Sequence, residues 1–521
     1  MQEVRSNRPE LVFALVGAAG TRLDDLAKAL KTHLGSFGYE CVDIRLSDLL
    51  VNFTGLQPQN AMLEADRITH LQAMGNAFRN CLNDGAALAR AGIAEIRQRR
   101  AAISGHPDTA AAGHAYVLRQ LKHPAEVDLL RGVYGASFFV IGGHSPHDKR
   151  VKDLAALMAR KAAQPDKVDL FLGSASRVIL SDEKQDDDLG QNTRDTYPKA
   201  DFFANLAIDW GENKVYRFLD LIFGHPFCTP SPEEYAMYQA SAVALRSSDS
   251  NRQVGCTVVH LTQEGGRTRN ADIVAVGMNE VPRGGGGFYW DQDSPDHRDQ
   301  ALLLRNEDRA YEIKISALTE LIDKIAEQGW FDAEVVKTAA IDLARSLLPA
   351  IKGTQFMNLS EFSRPVHAEM AALIDAARRG VAVDGLTMFV TTYPCHNCAK
   401  HIIAAGIRKV VYLEPYPKSR AGLLHGEEIE LESIDGKIID GRVVCCAFTG
   451  VAPRQYRQLF SMSERRARSL AEWHRDQLFL SPPYVPHDAS LTYTAAERQE
   501  IEALGPDCYI QRQVTRPETF E

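Results

Sequence analysis

The tightest constraint on this chain is a small set of side chains suited to one metal ion: His367-Ala368-Glu369 and, further on, Pro394-Cys395-His396-Asn397-Cys398. Two cysteines three positions apart at the start of a helix can turn both sulfurs to one point, and a helix N-terminus lowers the energy of a thiolate. An imidazole from the start of a second helix makes three protein ligands. The fourth tetrahedral position is then left for water, as a catalytic zinc site requires, whereas a structural site would be closed. The expected cofactor is therefore Zn2+, held by His367, Cys395 and Cys398, and two helix starts must meet around it. Glu369, two residues past the imidazole, is placed to carry protons for a metal-activated water. His396 and His401 lie nearby but are not needed to reach three ligands.

A chain of 521 residues is too long for one ordinary core and fits two domains with insertions. Hydrophobic residues at 45% and charged residues at 24% are those of a soluble globular protein. The longest apolar runs, such as Leu11 to Val16, fall far short of the roughly 20 residues that cross a bilayer, so no membrane partner is expected. The first ten residues lack the apolar core of a secretion signal, and nine scattered cysteines make no disulfide framework; both suggest a cytoplasmic protein. A net charge of −9 argues against a protein that wraps nucleic acid.

Along the chain, strand candidates at Leu11–Val16, Cys41–Ile44, Ser137–Ile141 and Asp201–Leu206 alternate with helical stretches such as 86–99 and 151–163. That alternation predicts a parallel α/β sheet over residues 1–225. The acidic stretch Asp182–Asp188, with Gly190-Gln191-Asn192, reads as an exposed loop or lid. The proline-rich segment Gly224–Pro232 marks the boundary. A second pattern follows over 233–450: a helix, two strands joined as a hairpin, a helical insertion at about 291–355, then the helix after His367 and further strand–helix steps. It predicts a five-stranded mixed sheet between helices, an α/β/α three-layer domain. Residues 451–521 read as a helical extension.

The H-x-E and P-C-x-x-C motifs match the signature of zinc nucleobase deaminases. The segments Ser248-Asp-Ser-Asn-Arg-Gln-Val-Gly-Cys256 and Val276-Gly-Met-Asn-Glu-Val-Pro-Arg-Gly284 resemble the opening strands of deoxycytidylate deaminases. The resemblance implies a cytidine-deaminase-like fold and attack at C4 of cytosine, with Glu369 protonating N3 and helping ammonia leave. It also implies that Asn279, at the end of the second strand, holds the nucleotide. Arg252 and Lys418, together with Arg246, Lys400 and Arg420, are the basic residues nearest the motifs in sequence, and Arg252 and Lys418 are the expected phosphate contacts.

The whole chain is similar to the bacterial anti-phage dCTP deaminases, whose front domain the segments Ala115–Leu130 and Gly190–Tyr197 also resemble. That resemblance implies free deoxycytidine nucleotides as substrates: dCTP, and often dCMP, would be converted to deoxyuridine nucleotides, depleting dCTP. It further implies a homo-oligomer and favours a front domain that regulates the deaminase in response to a nucleotide, a small RNA or a protein, with a structural scaffold and a divergent kinase as the alternatives. A housekeeping dCMP deaminase is the alternative. A polynucleotide-editing enzyme would need a basic, aromatic path that the acidic balance disfavours.

The front domain has a P-loop kinase-like beginning, strand then Gly17-Ala-Ala-Gly20 then helix, but in degenerate form. The full pattern places a lysine and a hydroxyl residue where Leu23 and Asp24 stand. Gly17 and Gly20 could still offer backbone amides to a phosphate, whereas ATP hydrolysis is not expected.

Overall fold

The computed structural model describes residues 8–54, 63–183, 185, 189–208, 211–249, 252–264, 267–304, 309–331, 339–351, 354, 356–357, 362–416, 419–462, 469–486 and 489–504. Its strands are β1 (Leu11–Val16), β2 (Glu40–Arg45), β3 (His114–Arg119), β4 (Phe138–His144), β5 (Phe202–Asn205), β6 (Gly255–Glu264), β7 (Arg267–Met278), β8 (Thr387–Thr392), β9 (Lys409–Glu414), β10 (Ile429–Glu430), β11 (Val443–Ala447) and β12 (Gly450–Val451). The helices needed below are α1 (Leu23–Ser36), α2 (Ala87–Ser104), α3 (Leu172–Glu183), α4 (Pro232–Ala244), α5 (Ala368–Arg379), α6 (His396–Ala404) and α7 (Ala489–Glu502).

The chain divides into two compact units. The first takes Met1–Tyr238, Val411–Pro417 and Gly426–Glu521; the second takes Gln239–Val410 and Lys418–His425. The division differs from the expected segments 1–225, 233–450 and 451–521, because the first unit is assembled from separate stretches of chain.

In the first unit the strand order is β12-β5-β4-β1-β3-β2. β1 pairs in parallel with both β3 and β4, from Leu11 opposite Ala115 to Val16 opposite Gly142. All six β1 residues are buried, as expected of a strand covered on both faces, and that is why it reads as an unbroken apolar run. Within 1–225 the strands β1 to β5 pair in parallel, as expected; β12, from beyond that span, joins β5 antiparallel and makes the sheet mixed. Val451, Leu459, Trp473, Leu480 and Val485 share one apolar core with Phe13, Phe37 and Phe218, so residues after 450 build this unit rather than extend from it.

A second correction concerns Asp182. The acidic run suggests a solvated loop, yet Asp182 lies within α3 and is buried, as is Gln191 beyond it. Residues 184 and 186–188 fall outside the described residues.

The second sheet has the order β10-β11-β9-β8-β6-β7, six strands where five were expected. The extra one is β10, two residues paired parallel to β11. β6 pairs antiparallel with β7 and with β8. The insertion is helical at Asp299–Leu304, Arg309–Glu327 and Ala340–Ile351, and the last two helices share a small core of Ile315, Leu318, Ile322, Ala344 and Leu348. Among the described residues no helix is long and apolar enough to cross a membrane.

Candidate metal centre

Two glycines let helices settle directly on the strands that carry the site. A Cβ on Gly277 of β7 would lie 2.2 Å from the Ala368 carbonyl oxygen and 2.3 Å from the Ala372 nitrogen. A Cβ on Gly255 of β6 would lie 1.9 Å from the Ala240 carbonyl oxygen in α4. Any side chain at either position would force the helix away.

Beyond β7, Glu280 forms a two-way backbone bridge with Val366: its N–H donates to the Val366 carbonyl at 3.2 Å and its carbonyl accepts from the Val366 N–H at 3.0 Å. This bridge delivers His367 to the N-cap of α5, where the backbone is still extended. Cys395 is likewise the N-cap of α6, and Cys398 lies in that helix's first turn. Both helices therefore start at the same place, with their positive ends toward the sulfurs.

His367, Cys395 and Cys398 place their ligand atoms within 4.8 Å of one another. The His367 Nδ1 stands 3.3 Å from the Cys395 sulfur and 3.4 Å from that of Cys398. Tetrahedral zinc, with bonds of about 2.3 Å to sulfur and about 2.0 Å to nitrogen, sets such atoms about 3.5 Å apart. Spacing and donor type both fit zinc. His396 and His401 are not in this cluster.

The electrostatics point the same way. The hydrogen bond from Cys398, with His367 helping, pulls Cys395 down to about 4, while the same bond and burial push Cys398 up. The pair therefore favours one thiolate beside one thiol, with the charge on the Cys395 side. His367 is raised by its hydrogen bond to Cys395. Burial, aided by the Cys395 charge, lifts Glu369 to about 7. Cys256 on β6 is also pushed up by burial and by the charge of Glu369, so it stays a neutral thiol.

The other residues singled out in the sequence fare differently. The buried amide of Asn279 accepts from the Val254 N–H at 2.7 Å and donates to the Arg252 carbonyl at 2.8 Å, tying the end of β7 to the start of β6. Its remaining N–H and lone pair are what it can offer a ligand. Arg252 is exposed, as are Lys400 and Arg420. Arg246 instead lies 3.6 Å over the Trp290 ring, a packing role. Lys418 lies outside the described residues. Gly17 and Gly20 stand between β1 and α1 in the first unit.

Sequence reasoning missed Glu280. It is 2% exposed, and its carboxylate accepts from the Ser248 N–H at 3.0 Å, the Ser248 hydroxyl at 2.8 Å and the Val281 N–H at 2.8 Å. It holds the Ser248 turn and the residue before His367 together. Its only signal is an acidic residue at the end of an apolar strand, which reads equally well as a turn.

Residues 230–414 match the zinc-binding region of cytidine and deoxycytidylate deaminases. The deoxycytidylate deaminase of Enterobacteria phage T4 is 43% identical over 75 residues, 14% of this chain and 39% of that protein. ComE operon protein 2 of Bacillus subtilis (strain 168) is 48% identical over 54 residues, 10% of this chain and 29% of that protein. The apo crystal structure of dCMP deaminase from the cyanophage S-TIM5 aligns at 18% identity over 42% of this chain and 99% of that one, with a TM-score of 0.21. The chain thus spans under two fifths of the length of these two curated relatives. The C-terminal part of this chain carries a deoxycytidylate deaminase-like zinc domain.

Proposed function

We propose that this domain hydrolytically deaminates free deoxycytidine nucleotides, dCTP and dCMP, to the deoxyuridine nucleotides with release of ammonia. The observation that carries the reading is the pairing of a His–Cys–Cys cluster with a buried carboxylate two residues from its imidazole. Zinc held by His367, Cys395 and Cys398 would supply the Lewis acidity that makes water a nucleophile near neutral pH. Glu369, lifted toward neutrality by burial, can take one proton from the water and give it to ring N3, then take the proton left on the new C4 hydroxyl and give it to the amine that leaves as ammonia. The start of α6, which carries both cysteines, and the Glu280 bridge to Val366, which positions His367, support holding the three ligands together. Asn279, at the end of β7, and the basic residues near it in sequence, Arg252 and Lys418, are proposed to hold the nucleotide.

The substrate range follows from the sequence resemblance, as do the depletion of dCTP during phage infection, assembly as a homo-oligomer and regulation through the front domain. Ammonia release from dCTP, dCMP, CTP and a cytosine-containing oligonucleotide tests the reading. Turnover of dCTP and dCMP is expected. Turnover of dCMP alone would favour the housekeeping role, and turnover of the oligonucleotide alone would overturn the proposal. Glu369→Ala should keep about one zinc per chain and lose deamination, because the ligands stay and the proton carrier goes. Cys395→Ser and Cys398→Ser should lose the metal itself.

A further inference from the structure

The turn between β1 and α1 lies at the carboxyl end of a parallel sheet where the strand order reverses, with β3 on one side of β1 and β4 on the other. Such a switch point is where open α/β sheets take ligands. Here a side chain of the protein itself is seated in it. The Asp182 Oδ2 accepts from the Ala19 N–H at 2.8 Å, from the Lys122 ammonium at 2.8 Å and from the Thr193 hydroxyl at 3.4 Å. The Gln72 amide donates to the other carboxylate oxygen at 3.4 Å.

Lys122 comes from just after β3 and also donates to the Gly17 carbonyl at 3.0 Å. It supplies at this turn the cation that the degenerate motif lacks at Leu23. A backbone amide of a glycine turn, a lysine and a hydroxyl converging on one anionic oxygen is the donor set that cradles phosphates.

Two residues beside the same turn, Arg150 and Thr21, carry unsatisfied polar groups. Arg150, which follows β4, is 7% exposed; it donates through Nε to the Ser145 carbonyl and through Nη2 to Glu183, but its buried Nη1 has no partner. The Ser145 and Thr21 hydroxyl oxygens are also buried without a partner. A Cβ on Gly20 would lie 2.7 Å from the Arg150 carbonyl oxygen, so Arg150 is directly against the turn. Orphaned buried donors are costly, and they are expected where a ligand completes the set.

We propose that the Gly17–Gly20 turn is a phosphate-type anion site held shut in cis. The Asp182 carboxylate takes the amide and the ammonium that a phosphate-bearing ligand would take, and such a ligand enters by displacing it. Arg150, packed against Gly20, and Thr21, next to it in the chain, then have unpartnered donors to offer the incoming oxygens. Asp182 thereby sets the threshold for occupancy.

The test compares the full chain with Asp182→Ala, Asp182→Asn and the double variant Asp182→Ala/Lys122→Met, each titrated calorimetrically with inorganic pyrophosphate and with ATP. Removing the competing carboxylate should tighten binding by about tenfold or more, and removing Lys122 as well should abolish the gain. Tighter ATP than pyrophosphate would identify a nucleotide as the ligand class, and equal binding would identify free phosphates; either supports the site. Both single variants should also melt lower than the parent chain and be restored by pyrophosphate, since the anion re-pairs Lys122. Folded single variants that bind no better than the parent would overturn the proposal. So would a gain that survives Lys122→Met, or failure of both single variants to fold even with pyrophosphate present, which would make Asp182 a core partner rather than a displaceable one.

Discussion

Glu369 is a buried carboxylate beside a thiolate, and burial first, then that charge, raise the free energy of its ionised form. Its folded value of about 7 lies above that of an unfolded chain, so the folded state holds its proton more tightly. In zinc-free protein, stability contributed by that proton is present at low pH and is lost as pH rises from about 4.3 through 7, then stays lost. Glu369→Gln removes the group that must ionise. The stripped variant should therefore match the stripped parent at pH 4 and exceed it by about 3 kcal/mol at pH 8. Urea melts at the two pH values measure this, and equal stability at pH 8 would show that Glu369 is not desolvated. At this scale the sequence exposed the His367, Cys395 and Cys398 cluster and the buried Glu369 beside it, because each is a residue type with few other uses at that spacing. It did not expose Glu280 or Asp182, whose roles come from burial, and an acidic residue looks the same in a sequence whether it is solvated or enclosed.

At the level of elements, hydrophobic pattern located most strands but missed β3, β10 and β12. β3 is a short apolar run, His114–Arg119, followed closely by a helix at Pro124, and periodicity over so few residues does not separate strand from helix. β10 and β12 are two residues each, defined by their partners and not by any pattern of their own. The two glycines under the helices were equally silent, since only the packed structure shows that Gly277 meets the Ala368 carbonyl. That contact makes a sharp prediction. Ala368 lies between His367 and Glu369, so a methyl at position 277 pushes on the backbone of the first turn of α5. Gly277→Ala should cost about 3 kcal/mol or more, the upper range for overpacking against backbone. It should also lower zinc content, measured by metal analysis beside a denaturant melt. A control at Gly284, where a Cβ meets nothing within 4 Å, should leave both unchanged.

At the scale of the whole molecule, the first unit depends on residues far apart in sequence. Arg100 on α2 is fully enclosed; it donates to the Glu10 carboxylate at 3.0 Å and makes paired bonds of 2.7 and 2.8 Å to Glu497 on α7. Tyr116 donates to Glu10 at 3.1 Å, and Tyr493 also bonds to it. The reading of residues after 450 as an extension failed because this network joins positions hundreds of residues apart, and no local pattern records it. Burial decides what the network contributes. The exposed pair Lys437–Asp435 has the same 2.7 Å separation as Arg100–Glu497, but Lys437 is 83% exposed and Arg100 is 0% exposed. Water screens the first pair, so Lys437→Ala should leave stability essentially unchanged. In the second, removing Glu497 leaves an enclosed guanidinium with only Glu10 to balance it, and Glu497→Ala should cost about 3–5 kcal/mol. Glu497→Gln keeps one acceptor and should fall between the two. Denaturant melts of the three variants give the order directly, and a loss at Glu497→Ala no larger than that at Lys437→Ala would show that α7 is not anchored through Arg100.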